Sequence, residues 1–248
     1  MNKKQRYIIE FQGIHKSFEK NHVLQGLDLS IYEGETLVIL GRSGCGKSVT
    51  LKILLGLIYP DAGQVFVDGE EITQIPEKKM LSIRQKFGML FQGSALFDSM
   101  KVKDNVAFAL HEHSKMSENE IIDIVKRNLE FVDLAGAEEL MPSELSGGMR
   151  KRVALARAMA YQPQIMLYDE PTTGLDPITA TTINALIRKT QRELGVTSIV
   201  VTHELESGFS VADRVAVINE GKIIEIGSID EIKNSQNEFV RTFIAGPK

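Results

Sequence analysis

The stretch Gly41-Arg42-Ser43-Gly44-Cys45-Gly46-Lys47-Ser48 has the residue types and spacing to hold phosphate, because it fits GxxxxGK(S/T). Its glycines let the backbone wrap phosphates with successive N–H groups pointing inward, and the helix it opens adds positive potential. The expected binding set is Gly41, Ser43, Gly44, Cys45, Gly46, Lys47, Ser48 and Val49, with Lys47 reaching the β and γ phosphates and Ser48 binding Mg²⁺. A glycine turn with a capping serine would have the same composition. Context favours the phosphate loop: it follows the apolar run Thr36 to Leu40 and precedes a helix-forming segment, Lys47 to Leu57.

Three further placements repeat the device of an apolar run ending in polar groups. Ile165 to Tyr168 delivers Asp169 and Glu170, suited to holding Mg²⁺ and to orienting or deprotonating a water. Ser198 to Val201 delivers Thr202 and His203, and Phe87 to Phe91 ends at Gln92. Taken singly, the acids could be solvated, the histidine a cap and the glutamine an ordinary surface residue. Together they place a phosphate cradle, two acids, a histidine and a glutamine at one sheet edge, where open parallel sheets bind ligands. A second anion-reading segment, Leu145-Ser146-Gly147-Gly148-Met149, has a capping serine and glycines that open helix amides to a ligand. Arg150, Lys151 and Arg152 follow; such cations oppose the helix dipole, which is reasonable beside a polyphosphate and otherwise describes a solvated basic turn.

The elements that must carry these residues are legible in the periodicity. Tyr7 to Phe11 and Val23 to Ile31 read as strands, and Thr36 to Leu40 reads as a strand buried on both faces. Gln64 to Ile72 predicts a hairpin around Asp68-Gly69, and Val215 to Gly227 another around Glu220-Gly221. Gly88 weakens its strand unless another group must approach closely there. From Met100 to Tyr161 helical signals dominate: Ser117 to Glu120 spells a capping box, with Met116 and Ile121 placed to staple it. Ile121, Ile124, Val125, Leu129 and Val132 then recur on one helical face. Asp176 to Glu193 predicts a further helix. The expected architecture is α/β, with an antiparallel β subdomain and a helical subdomain inserted between strands.

Composition sets outer bounds. The 248 residues, 43% hydrophobic and 25% charged, are those of a folded chain that can bury a sizeable core. A net charge of -4 argues against a surface built for nucleic acid, so no nucleic-acid partner is expected. Cys45, the single cysteine, allows no internal disulfide and suits a reducing compartment, with cytoplasm the default. Met1 to Arg6 is polar and basic and predicts no secretion signal, and no apolar run approaches the roughly 18 residues of a membrane span. Any membrane role would come through a partner.

In this order of motifs the chain resembles the ATP-binding-cassette (ABC) ATPases over essentially its whole length. The resemblance rests on Gly41 to Ser48, Gln92, Leu145 to Met149, Asp169-Glu170, Thr173-Gly174-Leu175-Asp176 and His203. Met149 stands where the family most often has glutamine. The resemblance implies one P-loop NTPase (RecA-like) domain over residues 1–248, with about 93–161 as the helical subdomain, and ATP and Mg²⁺ as ligands. It implies catalytic roles for Glu170, His203 and Lys47, metal contacts from Ser48, Gln92 and Asp169, and Phe18 stacked on adenine. It also implies a head-to-tail homodimer in which Ser146, Gly147 and Gly148 of one copy meet the γ phosphate held by Lys47 of the other, with Asp176 in the loop between them.

The segment Gln92 to Met100 and the unusual Met149-Arg150-Lys151-Arg152 are similar to the Mla-type phospholipid-transport ATPases. That similarity implies integral membrane permease subunits as partners, lipid-binding accessory proteins, and a cytoplasmic location peripheral to the cell membrane. Leu96, Phe97 and Met100 would either meet the permease or pack inside the helical subdomain. Two other classes fit part of the pattern. A P-loop small-molecule kinase has no use for the second anion-reading segment, and a non-transport ABC protein typically carries a long coiled-coil insertion, a duplicated cassette or a soluble partner, of which the first two are absent from this sequence.

Overall fold

Two sheets and the helices around them make up the described residues, 6–246, of this computed structural model. Of the polar start Met1 to Arg6, all but Arg6 lies outside them. The first half of the chain forms β1 (Tyr7–Phe18), β2 (Asn21–Tyr32), β3 (Thr36–Leu40), α1 (Lys47–Leu54), β4 (Ala62–Val67), β5 (Glu70–Glu71), α2 (Glu77–Arg84) and β6 (Phe87–Leu90). Helices α3 (Val102–His113), α4 (Glu118–Phe131) and α5 (Gly147–Met159) follow. The rest is β7 (Ile165–Asp169), α6 (Pro177–Leu194), β8 (Thr197–Thr202), α7 (Leu205–Val211), β9 (Arg214–Asn219), β10 (Lys222–Gly227), α8 (Ile229–Lys233) and α9 (Glu238–Ala245).

The larger sheet has the order β10-β9-β3-β8-β7-β6, with every neighbouring pair parallel except β10 with β9. Every residue of β3 and β8 is buried, as expected of strands covered on both faces. Because side chains alternate along a strand, the two faces feed two cores. Val38, Leu40, Met166, Tyr168 and Val200 pack with residues of α3 to α6, whereas Leu37, Ile39, Leu167, Ile199 and Val201 pack with α1 and the smaller sheet. That smaller sheet is antiparallel, in the order β2-β1-β4-β5. The observed architecture is therefore the expected α/β one, a P-loop NTPase fold, and the chain from β6 to β7 crosses over through three mutually packed helices.

Local signals account for most boundaries. Asp68 and Gly69 have φ of 56° and 77°, and Glu220 and Gly221 have 46° and 72°, as the tight turns of two hairpins require. The Ser117 capping box forms, with the Ser117 N–H donating to Glu120 Oε2 at 2.7 Å. The staple does not follow it: Ile121 is buried but Met116 stays exposed. Helix α1 stops at Leu54 rather than Leu57, turning at Gly56. Helices α2, α7, α8 and α9 carried no sequence expectation, since five to eight residues give too little periodicity to read. No helix among the described residues is long and apolar enough to cross a membrane.

Gly88 has the close neighbour its position implied. A Cβ there would lie 2.4 Å from the Ala158 carbonyl oxygen and 2.6 Å from Met166 Sδ, so α5 rests directly on β6. Gly88→Ala is expected to destabilise the fold by about 1–3 kcal/mol through overpacking. Urea unfolding followed by circular dichroism reads this; an unchanged midpoint would show that helix and strand can separate freely.

Candidate nucleotide site

Strand register brings the polar tips together. Leu40 of β3 is level with Thr202 of β8, Asp169 of β7 with Val201, and Leu90 of β6 with Tyr168. The loops leaving these strands therefore share one edge, the carboxyl edge of the parallel sheet.

After β3 the chain forms the glycine loop and enters α1. Gly46 has φ of 109°, and a Cβ on it would sit 2.6 Å from Leu24 Cδ2, so only glycine allows the loop to turn this tightly beneath β2. Lys47 is buried; its Nζ donates to the carbonyls of Gly41 at 2.8 Å and Arg42 at 3.2 Å, and lies 3.5 Å from Glu170 Oε1. Ser48 donates its hydroxyl to Asp169 Oδ1 at 2.9 Å. Gly41 is buried at the strand end, while Ser43 and Gly44 are exposed at the loop tip. The side chains of Cys45 and Val49 pack against the apolar core, leaving backbone N–H groups as what they offer a ligand. Burial pushes the Cys45 thiol up, so it adds no negative charge to a phosphate site.

Glu170 is buried and takes a left-handed φ of 47°. Its Oε2 accepts from the Thr202 hydroxyl at 3.0 Å, the Thr173 hydroxyl at 3.2 Å, the His203 N–H at 3.3 Å and His203 Nδ1 at 2.9 Å. An ionised carboxylate only accepts, so Nδ1 of His203 carries a proton. Burial alone would raise the Glu170 pKa; the His203 hydrogen bond and the Lys47 charge outweigh it and hold the carboxyl below its usual range. Asp169 goes the other way, raised by burial with the Glu170 charge adding to the rise, against the opposing Ser48 hydrogen bond. The two acids thus have opposite shifts. Thr202 and Thr173 were not picked out from sequence as partners of Glu170.

Ser146, Gly147 and Gly148 open α5 as expected, with Ser146 Oγ accepting from the Met149 N–H at 3.2 Å. Ser146 and Gly147 are exposed, and Gly147 and Gly148 lie against Leu175 and Thr179. The cations after them do not form the phosphate-facing cluster that the sequence suggested. Arg150 donates to the Leu145 carbonyl, Arg152 to those of Val132 and Asp133, and Lys151 is buried with its Nζ on the carbonyls of Gln92 at 2.5 Å and Glu170 at 3.3 Å. Gln92 is exposed after β6 and joins the cluster through its backbone.

Asp176 caps α6, accepting from the N–H groups of Ile178 and Thr179 at 3.0 Å each. Phe18 lies at the end of β1, 43% exposed, so it is not a core aromatic; Lys16 Nζ sits 5.4 Å from its ring centre. Leu96 packs toward the helical core and Met100 is half-buried, whereas Phe97 is 40% exposed with its ring 4.6 Å from that of Phe108.

A glycine loop on a helix N-terminus, a lysine within it, and a serine–aspartate pair beside a buried glutamate define a P-loop nucleotide-binding ATPase site. The comparisons with known proteins specify it further. The ABC transporter family matches residues 24–173. The chain is 42% identical to "Probable ribonucleotide transport ATP-binding protein mkl" of Mycobacterium leprae, over 96% of this chain and 69% of that one. It is also 42% identical to the intermembrane phospholipid transport system ATP-binding protein MlaF of Haemophilus influenzae, over 90% of this chain and 85% of that one. A dimeric ATP-binding cassette solved in a post-hydrolysis state with ADP and Pi superposes with a TM-score of 0.81 at 30% identity, covering 89% of this chain and 98% of that one. The chain belongs to the ABC transporter ATP-binding family: it binds ATP and is an ATPase.

The raised Asp169 pKa has a signed consequence. Above that pKa the folded chain holds a charge it accommodates less well than the unfolded chain does, a cost that fades as pH falls through the raised value toward the ordinary one. Asp169→Asn keeps an acceptor for Ser48 and is expected to raise Tm at pH 7, the gap closing on acidification. Thermal melts from pH 7 to pH 4 check this; a lower Tm for the variant at pH 7 contradicts it.

Proposed function

We propose that this chain works as a homodimer on ATP binding and drives a phospholipid or related lipid through separate integral membrane permease subunits. The observation that carries the hydrolytic half is the Glu170 carboxylate, held by four donors on one oxygen and facing Lys47 with the other. In this reading Glu170 receives the proton of the attacking water, and His203, whose Nδ1 points to Glu170, presents Nε2 toward the phosphate side. Lys47 exchanges its bonds to the Gly41 and Arg42 carbonyls for phosphate oxygens. Gly41, Ser43, Gly44, Cys45, Gly46 and Val49 complete the cradle, and Phe18 offers its exposed ring to adenine.

The pair Ser48 and Asp169 suits Mg²⁺, a hard cation that takes a few protein oxygens and completes its shell with water and phosphate. The Gln92 side-chain oxygen is a third donor. Bound there, the ion would neutralise charge on the outer phosphates. Ser146, Gly147 and Gly148 read the phosphates of a second copy's nucleotide, a reading supported by the exposure of Ser146 and Gly147 and by the dimeric cassette this chain resembles.

Residues 93–161 act as the helical subdomain that meets the permease, and the whole subunit sits at the cytoplasmic face of the membrane. The surface for this includes exposed Phe97 and a cleft of about 300 Å³ lined by Leu81, Arg84, Gln85, Phe87, Ala109, His113 and Tyr161. Support for lipid is the 42% identity to MlaF, named for phospholipid transport, with lipid-binding accessory proteins as further partners; the equal identity to mkl, named for ribonucleotide transport, is the competing reading.

Glu170→Gln should still bind ATP while turnover falls by about 10²- to 10⁴-fold, the range of general base catalysis. Steady-state hydrolysis at the unaltered rate would remove Glu170 from this role. For the substrate, the detergent-extracted complex is reconstituted with its co-purifying membrane subunits and assayed with fluorescent phospholipid and with ribonucleotides. ATP-dependent movement of the phospholipid supports the proposal, whereas movement of ribonucleotide alone refutes it.

A further inference from the structure

Lys151 is 4% exposed and lies in the second turn of α5, where a cation opposes the helix dipole. Burial lowers its pKa, opposed by the negative charges of Asp169, Glu170 and Glu204, and the ammonium donates to two carbonyls, those of Gln92 at 2.5 Å and Glu170 at 3.3 Å. A single ammonium therefore joins three segments: the helix opened by Ser146, the loop of Gln92 and the turn of Glu170. Helix α5 grips the same loop again through Arg157, which donates to the carbonyls of Ser94 at 2.8 Å and Ala95 at 2.6 Å. Ser94 and Ala95 have φ of 63° and 50°, so the loop keeps a costly shape that α5 stabilises.

The Glu170 turn has the same need. Its left-handed φ persists only where surrounding bonds enforce it, and its carbonyl has two weak anchors, Lys151 Nζ and the Thr173 N–H at 3.4 Å. We propose that Lys151 is a positioning residue for hydrolysis, setting the Glu170 turn relative to α5 and the Gln92 loop. The proposal rests on the assignment of Glu170 as the base. Lys151 donates to backbone carbonyls and acts through the backbone that aims Glu170, so its loss alters the chemical step and leaves ATP binding in place.

The test compares full-length Lys151→Met, Lys151→Gln, Lys151→Arg and Glu170→Gln with the unaltered chain, in ATP hydrolysis, equilibrium ATP binding and thermal melting. Lys151→Met should lower kcat by roughly 10- to 100-fold with KM for ATP within about twofold, the signature of lost aim rather than lost binding. Lys151→Arg, which can still donate to both carbonyls, should recover most of kcat, and Lys151→Gln should fall between. Should the methionine variant fail to fold, the Arg–Gln pair decides: equal kcat in the two overturns the proposal and a higher value for Arg supports it. Unchanged kcat in Lys151→Met, or a raised KM at unchanged kcat, overturns it while leaving Glu170 in place if Glu170→Gln is inactive. A fully active Glu170→Gln removes the base itself and the proposal with it.

Discussion

A carboxylate taken out of water becomes neutral unless its surroundings favour the charge, and the site is organised around preventing that at Glu170. Four donors meet on one of its oxygens and an ammonium faces the other. Those donors come from the turn after β7, the end of β8 and the residue beyond it, while Lys47 comes from the loop after β3. The charge state of one side chain thus depends on three strands ending at the same height. Register supplies that alignment, and register is fixed by burial of both sheet faces: a slip of one residue would turn every apolar side chain of β3 or β8 toward the wrong core.

The neighbouring acid experiences the same burial with a different outcome. Burial raises the Asp169 carboxyl above the usual range and the Glu170 charge adds to the rise, with one hydroxyl, that of Ser48, too little to reverse it. Such a destabilised anion is suited to a cation that arrives with a ligand, while the stabilised one beside it is suited to staying charged throughout. Opposite shifts on adjacent residues give one loop a physical means to support the two roles proposed for them.

Much of this was legible in the sequence, and the residues show why the rest was not. The glycine loop, the apolar runs before Asp169 and His203, the Ser117 and Ser146 caps and the close approach at Gly88 all follow from local chemistry. Thr202 and Thr173 stand within sequence motifs, but their bonds to Glu170 are not legible there, because a threonine at a strand end or in a turn satisfies local preference without needing a partner. Lys151 reads in sequence as one of a basic group with Arg150 and Arg152: helical spacing sends the three in different directions but does not say which direction is inward. Only the fold showed that the middle one points inward. The Arg42 guanidinium, 5.8 Å from the ring centre of Phe239, joins residues too far apart along the chain for any pattern to link.

The absence of a side chain at Gly88 governs how rigidly the helix opened by Ser146 is seated. Side chains between a helix and a sheet act as a compliant layer, because rotamers can absorb a small tilt. At Gly88 that layer is missing and main chain bears on main chain, at the far end of α5 from its exposed serine. A push at the serine end therefore has a hard pivot to act against, and the strand that leads to Gln92 must answer it.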